Sequence, residues 1–282
     1  MVAPSGPLTA ERISDGIERL ESWQLEIRPG KHLHDRHQEL PYLAGTDEDR
    51  AADFMTAWTD PDVAAIWCGR GGYGAQRMVD LLDFDALRAA GRKHLIGFSD
   101  ITDLHSRLGR ELDQVTIHGP IATGVQLDDP VSAAAVRQLI FEQPAAGSRL
   151  LTGEALVGGR AQGRLFGGNV ALISDDLGVE PAPSEPTIVI MEEVGEVAYR
   201  LDRKLTQLRR SGWFSQVSGI VLGDFTETDD RELIDVVLAD RLGDLGIPVL
   251  HRAPVGHGDR NVAVPLGALV TLDADAGRLT LD

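Results

Sequence analysis

Through residue 125, short apolar runs alternate with helix-period segments, the pattern of β-α repeats whose parallel sheet is covered by helices. Ala64-Ala65-Ile66-Trp67-Cys68 and His94-Leu95-Ile96-Gly97-Phe98 read as buried strands, each followed at once by a glycine or serine turn and then a helical pattern. A third run, Gln114-Val115-Thr116-Ile117-His118, ends at Gly119-Pro120. Ligands of open α/β sheets bind beyond the carboxyl ends of the strands, so these three turns are expected to be neighbours in space.

The pattern changes over residues 126–158, which hold Leu127-Asp128-Asp129-Pro130, a helical stretch at 131–141 and then Gln143-Pro144-Ala145-Ala146-Gly147-Ser148. That composition suits an interdomain connection. From Gly159 onward come β-branched runs at 187–190, 219–222 and 268–272. One long helix interrupts them, with Leu201, Leu205 and Leu208 along one face and Gly212 placed to end it. The expected fold is therefore α/β: an N-terminal doubly wound parallel-sheet domain over 1–125, a linker over 126–158, and a smaller β-rich C-terminal domain over 159–282.

Composition agrees with two globular domains, since 282 residues with 43% hydrophobic content exceed the usual size of one. The net charge of −17 repels phosphate backbones and anionic headgroups, which argues against nucleic acid and membranes as partners. Cys68 is the single cysteine, so no intramolecular disulfide forms, as suits a reducing cytosol. Met1 to Pro7 lacks a basic n-region and an apolar run, and no stretch of about 18 apolar residues occurs. A soluble cytoplasmic protein is expected.

Two loops carry chemistry. Gly69-Arg70-Gly71-Gly72-Tyr73-Gly74 formally matches the dinucleotide fingerprint, yet it follows the second strand segment, whereas the first turn of the chain is Pro4-Ser5-Gly6-Pro7. Its bare backbone N–H groups suit a carboxylate or a developing oxyanion better. Gly97-Phe98-Ser99-Asp100-Ile101-Thr102 sets a serine where a buried strand turns into a helix, the geometry that exposes a nucleophile; a helix N-cap is the competing reading.

A nucleophilic serine needs a base, and the base an orienting acid. Of eight histidines, His32, His34 and His37 form an H-x-H-x-x-H cluster with the spacing of metal ligands but no carboxylate pattern to complete a site. His94, His105 and His118 read as structural. His257 lies in the glycine-flanked Pro254-Val255-Gly256-His257-Gly258-Asp259-Arg260-Asn261. An acid is expected after the strand 187–190, from Glu192, Glu193 or Glu196, which the residues alone do not rank.

Together these segments resemble the LD-carboxypeptidase family of serine peptidases, whose members include murein tetrapeptide carboxypeptidases and microcin C immunity peptidases. The likeness rests on Val2-Ala3-Pro4-Ser5, Tyr42-Leu43-Ala44-Gly45-Thr46, Ile66 to Gly74, Ile96 to Asp100, His118-Gly119-Pro120, Gly167-Gly168-Asn169, Glu192 to Glu196 with Tyr199 to Arg203, and Gly256-His257-Gly258. It implies Ser99 as nucleophile, Glu192 as orienting acid with Glu196 as the replacement, and His257 as general base. It also implies an oxyanion hole from the N–H groups of Gly72 and Asp100. Relatives usually begin with a fuller first strand, so a start upstream of Met1 is expected.

The implied reaction hydrolyses an L,D-amide bond of a murein tetrapeptide and releases D-Ala in peptidoglycan recycling, without metal or organic cofactor. A terminal carboxylate then needs donors, for which Arg70, Gly71 and Asn169 are the candidates. The alternative, cleavage of a peptidyl or aminoacyl nucleotide, wants an aromatic platform, with Phe141 and Phe166 as candidates. The expected partner is a small peptide substrate, and the expected assembly a homodimer.

Overall fold

The computed structural model describes residues 1–282 and divides into two compact units, Met1–Ala133 and Ala134–Asp282. Helices of the first unit are α1 (Ala10–Glu21), α2 (Asp47–Thr59), α3 (Ala75–Val79), α4 (Phe84–Ala90) and α5 (Thr102–Leu112); its strands are β1 (Ala65–Trp67), β2 (His94–Gly97) and β3 (Thr116–His118). These strands run parallel in the order β1-β2-β3, with Ile66 opposite Leu95 and Ile96 opposite Ile117. Val2 extends the sheet by a single parallel bridge to Cys68.

Parallel strands are covered on both faces and so read as continuous apolar runs, as Ile66-Trp67-Cys68 and Leu95-Ile96 do. Ile66, Cys68 and Leu95 pack with Phe54, Trp58, Leu87, Leu104 and Leu108 from the covering helices. α1 begins where the Thr9 hydroxyl accepts from the Arg12 N–H, and it buries Ile13, Gly16 and Leu20. The three strand-end turns do lie side by side, because the strands that deliver them are adjacent in the sheet.

α6 (Pro130–Arg137) crosses the boundary between the units. In the second unit the strands are β4 (Arg149–Thr152), β5 (Glu154–Val157), β6 (Arg160–Asn169), β7 (Thr187–Val194), β8 (Val217–Thr226), β9 (Val249–His251), β10 (Val264–Leu266), β11 (Leu269–Asp273) and β12 (Arg278–Leu281); the helices are α7 (Val170–Asp175), α8 (Ala198–Arg210) and α9 (Arg231–Leu242). Its eight-stranded sheet has the order β4-β12-β11-β6-β7-β8-β9-β5. Residues 126–158, read as a connection from composition, thus contribute α6 and two strands, β4 and β5, at the two edges of this sheet.

The parallel centre β6-β7-β8-β9 is apolar on both faces. Side chains alternate along β7: Val189 and Met191 join Leu201, Leu205 and Leu208 of α8, whereas Ile188 and Ile190 join Leu250, Val255 and Leu272 on the other face. Beyond the end of α8, Gly212 takes a left-handed backbone (φ 76°), the role its position suggested.

Candidate active-site residues

Ser99 ends the β2 run with φ 66°, a left-handed conformation that costs a non-glycine residue about 1 to 2 kcal/mol. A short 3-10 turn, Ser99–Ile101, follows and leads straight into α5. The N-cap position of α5 is Ile101, and neither segment is started by a side-chain cap bond, so the N-cap reading of Ser99 does not hold. The strain is instead held by packing beneath the corner, where a Cβ on Gly97 would sit 3.1 Å from the Cys68 Cβ and 3.0 Å from Ile101.

The glycine loop after β1 lies against this serine. A Cβ on Gly71 would stand 2.9 Å from the Ser99 Cβ and 3.1 Å from its Oγ, so only glycine fits there. Gly72 adopts φ 113° and packs on Gly6, and the Gly6 N–H donates to the Gly71 carbonyl at 3.1 Å. The first turn of the chain thereby braces the loop after β1.

Two buried side chains hold that loop, and sequence reasoning missed both roles. The Asp100 carboxylate accepts the Ala75 N–H at 2.8 Å and fastens the loop's far end to the serine corner. Burial pushes the Asp100 carboxyl above its ordinary value, against the opposing Ala75 hydrogen bond and the charge of Arg50. Arg50 of α2 donates to the Gly74 carbonyl at 2.7 Å, to the Pro4 carbonyl and to Asp47. A Cβ on Gly74 would meet that guanidinium at 2.7 Å, which explains why this turn also ends in glycine. The spacing from Thr46, which caps α2, to Arg50 was the available signal.

Arg70 is half-buried and donates to the Pro7 carbonyl at 2.9 Å. Burial lowers its pKa, and so do the neighbouring charges of Arg12 and Arg36. Its surroundings are thus a carbonyl oxygen and like charges.

The candidate acid and histidine belong to the second unit. Glu192 lies near the end of β7, fully buried, and its Oε2 is 2.5 Å from His257 Nδ1. A carboxylate has only acceptor sites, so the facing Nδ1 carries the proton and Nε2 becomes the basic nitrogen. Burial lowers the imidazole pKa, but the hydrogen bond and charge of Glu192, with the charges of Glu193 and Glu227, outweigh it and leave His257 above its ordinary value.

The three glutamates separate by position. Glu192 shares the strand face of Ile188 and Ile190, against which the loop bearing His257 packs through Val255. Glu193 points the other way: it accepts from the Ala171 N–H at 2.7 Å, the Val194 N–H at 2.9 Å and Asn169 Nδ2 at 2.8 Å. Burial raises its carboxyl to about 7. Glu196 lies past the strand and pairs with Lys204 at 3.7 Å. Asn169 caps α7, its Oδ1 accepting from the Leu172 N–H at 3.3 Å, so its amide is already engaged within the protein.

The histidine loop is closed by the Gly256 N–H donating to Asn261 Oδ1 at 3.1 Å and by the Gly258 N–H donating to Asp224 Oδ2 at 3.2 Å. Gly256 has φ 118°, and a Cβ there would lie 2.7 Å from Glu192 Oε2. Asp224 was not foreseen. It stands opposite Glu192 where the β7–β8 register shifts between Met191 and Glu193, and burial raises its carboxyl to about 6.

The remaining histidines part from the spacing they show in sequence. His32 lies 2.7 Å from Asp35 and 3.5 Å from Asp49, and these three bring potential ligand atoms within 4.8 Å of one another, whereas His34 and His37 are not of that group. His37 Nδ1 accepts from the backbone N–H groups of Glu39 and Leu40. His105 is buried between Thr116 and the Gly97 carbonyl, and burial lowers it to about 4. Of the aromatic candidates, Phe166 packs into the core beside Trp213, and exposed Phe141 lies beneath the Arg137 guanidinium. No helix is long and apolar enough to cross a membrane.

The chain as a whole is similar to known proteins. The LD-carboxypeptidase N-terminal domain family matches residues 1–119, and the LD-carboxypeptidase C-terminal domain family matches residues 162–272. A Streptomyces coelicolor protein carrying a provisional carboxypeptidase name is 46% identical over 287 residues, spanning 100% of this chain and 92% of that one. The murein tetrapeptide carboxypeptidase of Pseudomonas aeruginosa is 36% identical over 290 residues, covering 98% of this chain and 92% of its own. The solved structure of MccF with glutamyl sulfamoyl guanosine shares the fold at a TM-score of 0.88 and 21% identity, covering 99% of this chain and 94% of that one.

Proposed function

On the premise that the chain belongs to the LD-carboxypeptidase family, a family of serine peptidases, we propose that it is a carboxypeptidase hydrolysing the L,D-amide bond that precedes a terminal D-alanine in a murein tetrapeptide. The observation that carries this reading is the 2.5 Å pair of His257 with buried Glu192, an imidazole made basic at Nε2 and raised in pKa. In the proposed mechanism Ser99 Oγ attacks the scissile carbonyl, His257 takes its proton, and Glu192 stabilises the resulting imidazolium. The N–H groups of Gly72 and Asp100 serve as oxyanion donors, each worth about 3 kcal/mol of transition-state stabilisation. His257 then protonates the leaving amine, and water, deprotonated by the same imidazole, releases the acyl group from Ser99.

The place of such a reaction is peptidoglycan recycling in the cytoplasm, with a small peptide as the partner and a homodimer as the working assembly. The test is to incubate the protein with an L,D-tetrapeptide and with an aspartyl-adenylate analogue and to follow products by mass spectrometry. Release of D-alanine from the first alone is expected. Cleavage of the nucleotide conjugate alone replaces the substrate, and cleavage of neither overturns the reading.

A further inference from the structure

We infer that the first unit carries a preformed anion pocket, centred on Arg36 and Arg70, that selects substrates ending in a free carboxylate. The inference rests on the peptidase reading above and names the specificity determinant of that site. The pocket is a cavity of about 630 Å³ whose walls include Gly6, Arg36, Tyr42, Arg70, Gly72 and Tyr73.

Its charge is the first argument. The charges acting on Arg70 are Arg12 and Arg36, both of its own sign, and its one bond is to the Pro7 carbonyl. The Arg12 and Arg36 guanidinium groups have no ion-pair partner. In a chain that has 44 acidic against 27 basic residues, no acidic side chain lines the pocket, and Arg12 and Arg36 add positive charge at Arg70. An arrangement that leaves them uncompensated is complementary to an anion from outside.

Reach is the second. Gly71 presses on Ser99, and Gly72, its neighbour, already belongs to the pocket wall. One Cα step is about 3.8 Å, which is also about the separation of a scissile carbonyl carbon from the carboxylate carbon of a single released residue. A longer substrate would present a neutral amide at that point and leave the arginines unanswered. Tyr42 and Tyr73, both exposed with rings 6.0 Å apart, add an aromatic wall to the pocket. Arg36 itself is exposed, so its replacement leaves the core untouched.

Binding to the Ser99→Ala protein, measured by calorimetry, tests this without turnover. The probes are a peptide ending in L-alanyl-D-alanine, its C-terminal amide, and adenosine monophosphate. The acid is expected to bind about 10- to 100-fold tighter than the amide. Adding Arg36→Gln should weaken the acid about tenfold and leave the amide unchanged, while Arg36→Lys recovers part of the loss. Arg12→Gln, a second variant, should weaken the acid by only about threefold, through its field. Equal affinities for acid and amide overturn the proposal, as does an Arg36→Gln protein that still tells them apart. Adenosine monophosphate displacing the acid at equal concentration also overturns it, assigning the pocket to phosphate. If the wild type cleaves none of these peptides but the acid–amide difference stands, the serine reaction fails and the pocket survives; the reverse result separates them the other way.

Discussion

The serine corner of the first unit and the histidine loop of the second are each held in place, by different means. Around Ser99 the parts are backbone: a left-handed serine, a glycine pressed on its hydroxyl and a second glycine at φ 113°, with Asp100 and Arg50 acting as clamps from behind. Around His257 the parts are side chains: a buried carboxylate at 2.5 Å and two loop bonds, to Asn261 and Asp224, that hold the loop. The first half is therefore vulnerable to added atoms, the second to removed charge.

Removing either of the proposed reacting groups should have the largest effect. Ser99→Ala and His257→Ala are each expected to cut kcat by about 10⁶-fold, with thermal unfolding unchanged in Ser99→Ala and lowered in His257→Ala, which leaves the buried Glu192 carboxylate unpaired, and the double variant should be no less active than either, because groups that act as a unit are not additive. Steady-state release of D-alanine reads this directly. Next comes Glu192→Gln, which keeps shape but removes the charge behind the imidazole; about 10⁴-fold in kcat is expected. Smaller again is Gly71→Ala, where one methyl group must displace Ser99. About 10²- to 10³-fold in kcat, with little change in KM, is the expected cost. If Gly71→Ala proved harmless, the contrast between a backbone half and a side-chain half would dissolve.

The smallest effect is a shift in pH dependence. His257 works as a base only when neutral, and its pKa is raised, so kcat/KM should rise with pH to a half-point above the ordinary histidine value of about 6.5. Removing the Glu192 charge leaves burial, which lowers the pKa, as the main influence, so the residual activity of Glu192→Gln should reach its half-point at lower pH. A half-point that stayed in place would detach Glu192 from the base.

Local pattern sufficed wherever the decisive neighbours were close along the chain. The strand-turn-helix corners after β1 and β2, the leucine face of α8 and its ending at Gly212 follow from periodicity and turn chemistry over a few residues. The choice among Glu192, Glu193 and Glu196 was within reach too, had the alternation of β7 been extended past Ile190: Glu192 keeps the parity of Ile188 and Ile190, Glu193 that of Val189 and Met191. Other features depend on distant partners. Arg50 reaches a carbonyl 46 residues away, and Asp224 meets Gly258 across 34 residues at a shift of register that no spacing encodes. The strands β4 and β5 were read as a connection because they lie at the sheet's edges, where Gly, Pro and charged residues blur the apolar signal. The histidine triplet parts for a complementary reason: close spacing in a loop does not fix direction, and His32 instead neighbours Asp35 and Asp49, the latter from α2.

The central claim is that Ser99 becomes a nucleophile only with His257 as its base. Reaction with a fluorophosphonate, followed by intact mass and then by peptide mapping, tests it most directly. One adduct per chain, on Ser99, forming at a rate that rises with pH and falls by at least about 10³-fold in His257→Ala, is the predicted result. An adduct on another residue, or an unchanged labelling rate in His257→Ala, would contradict it.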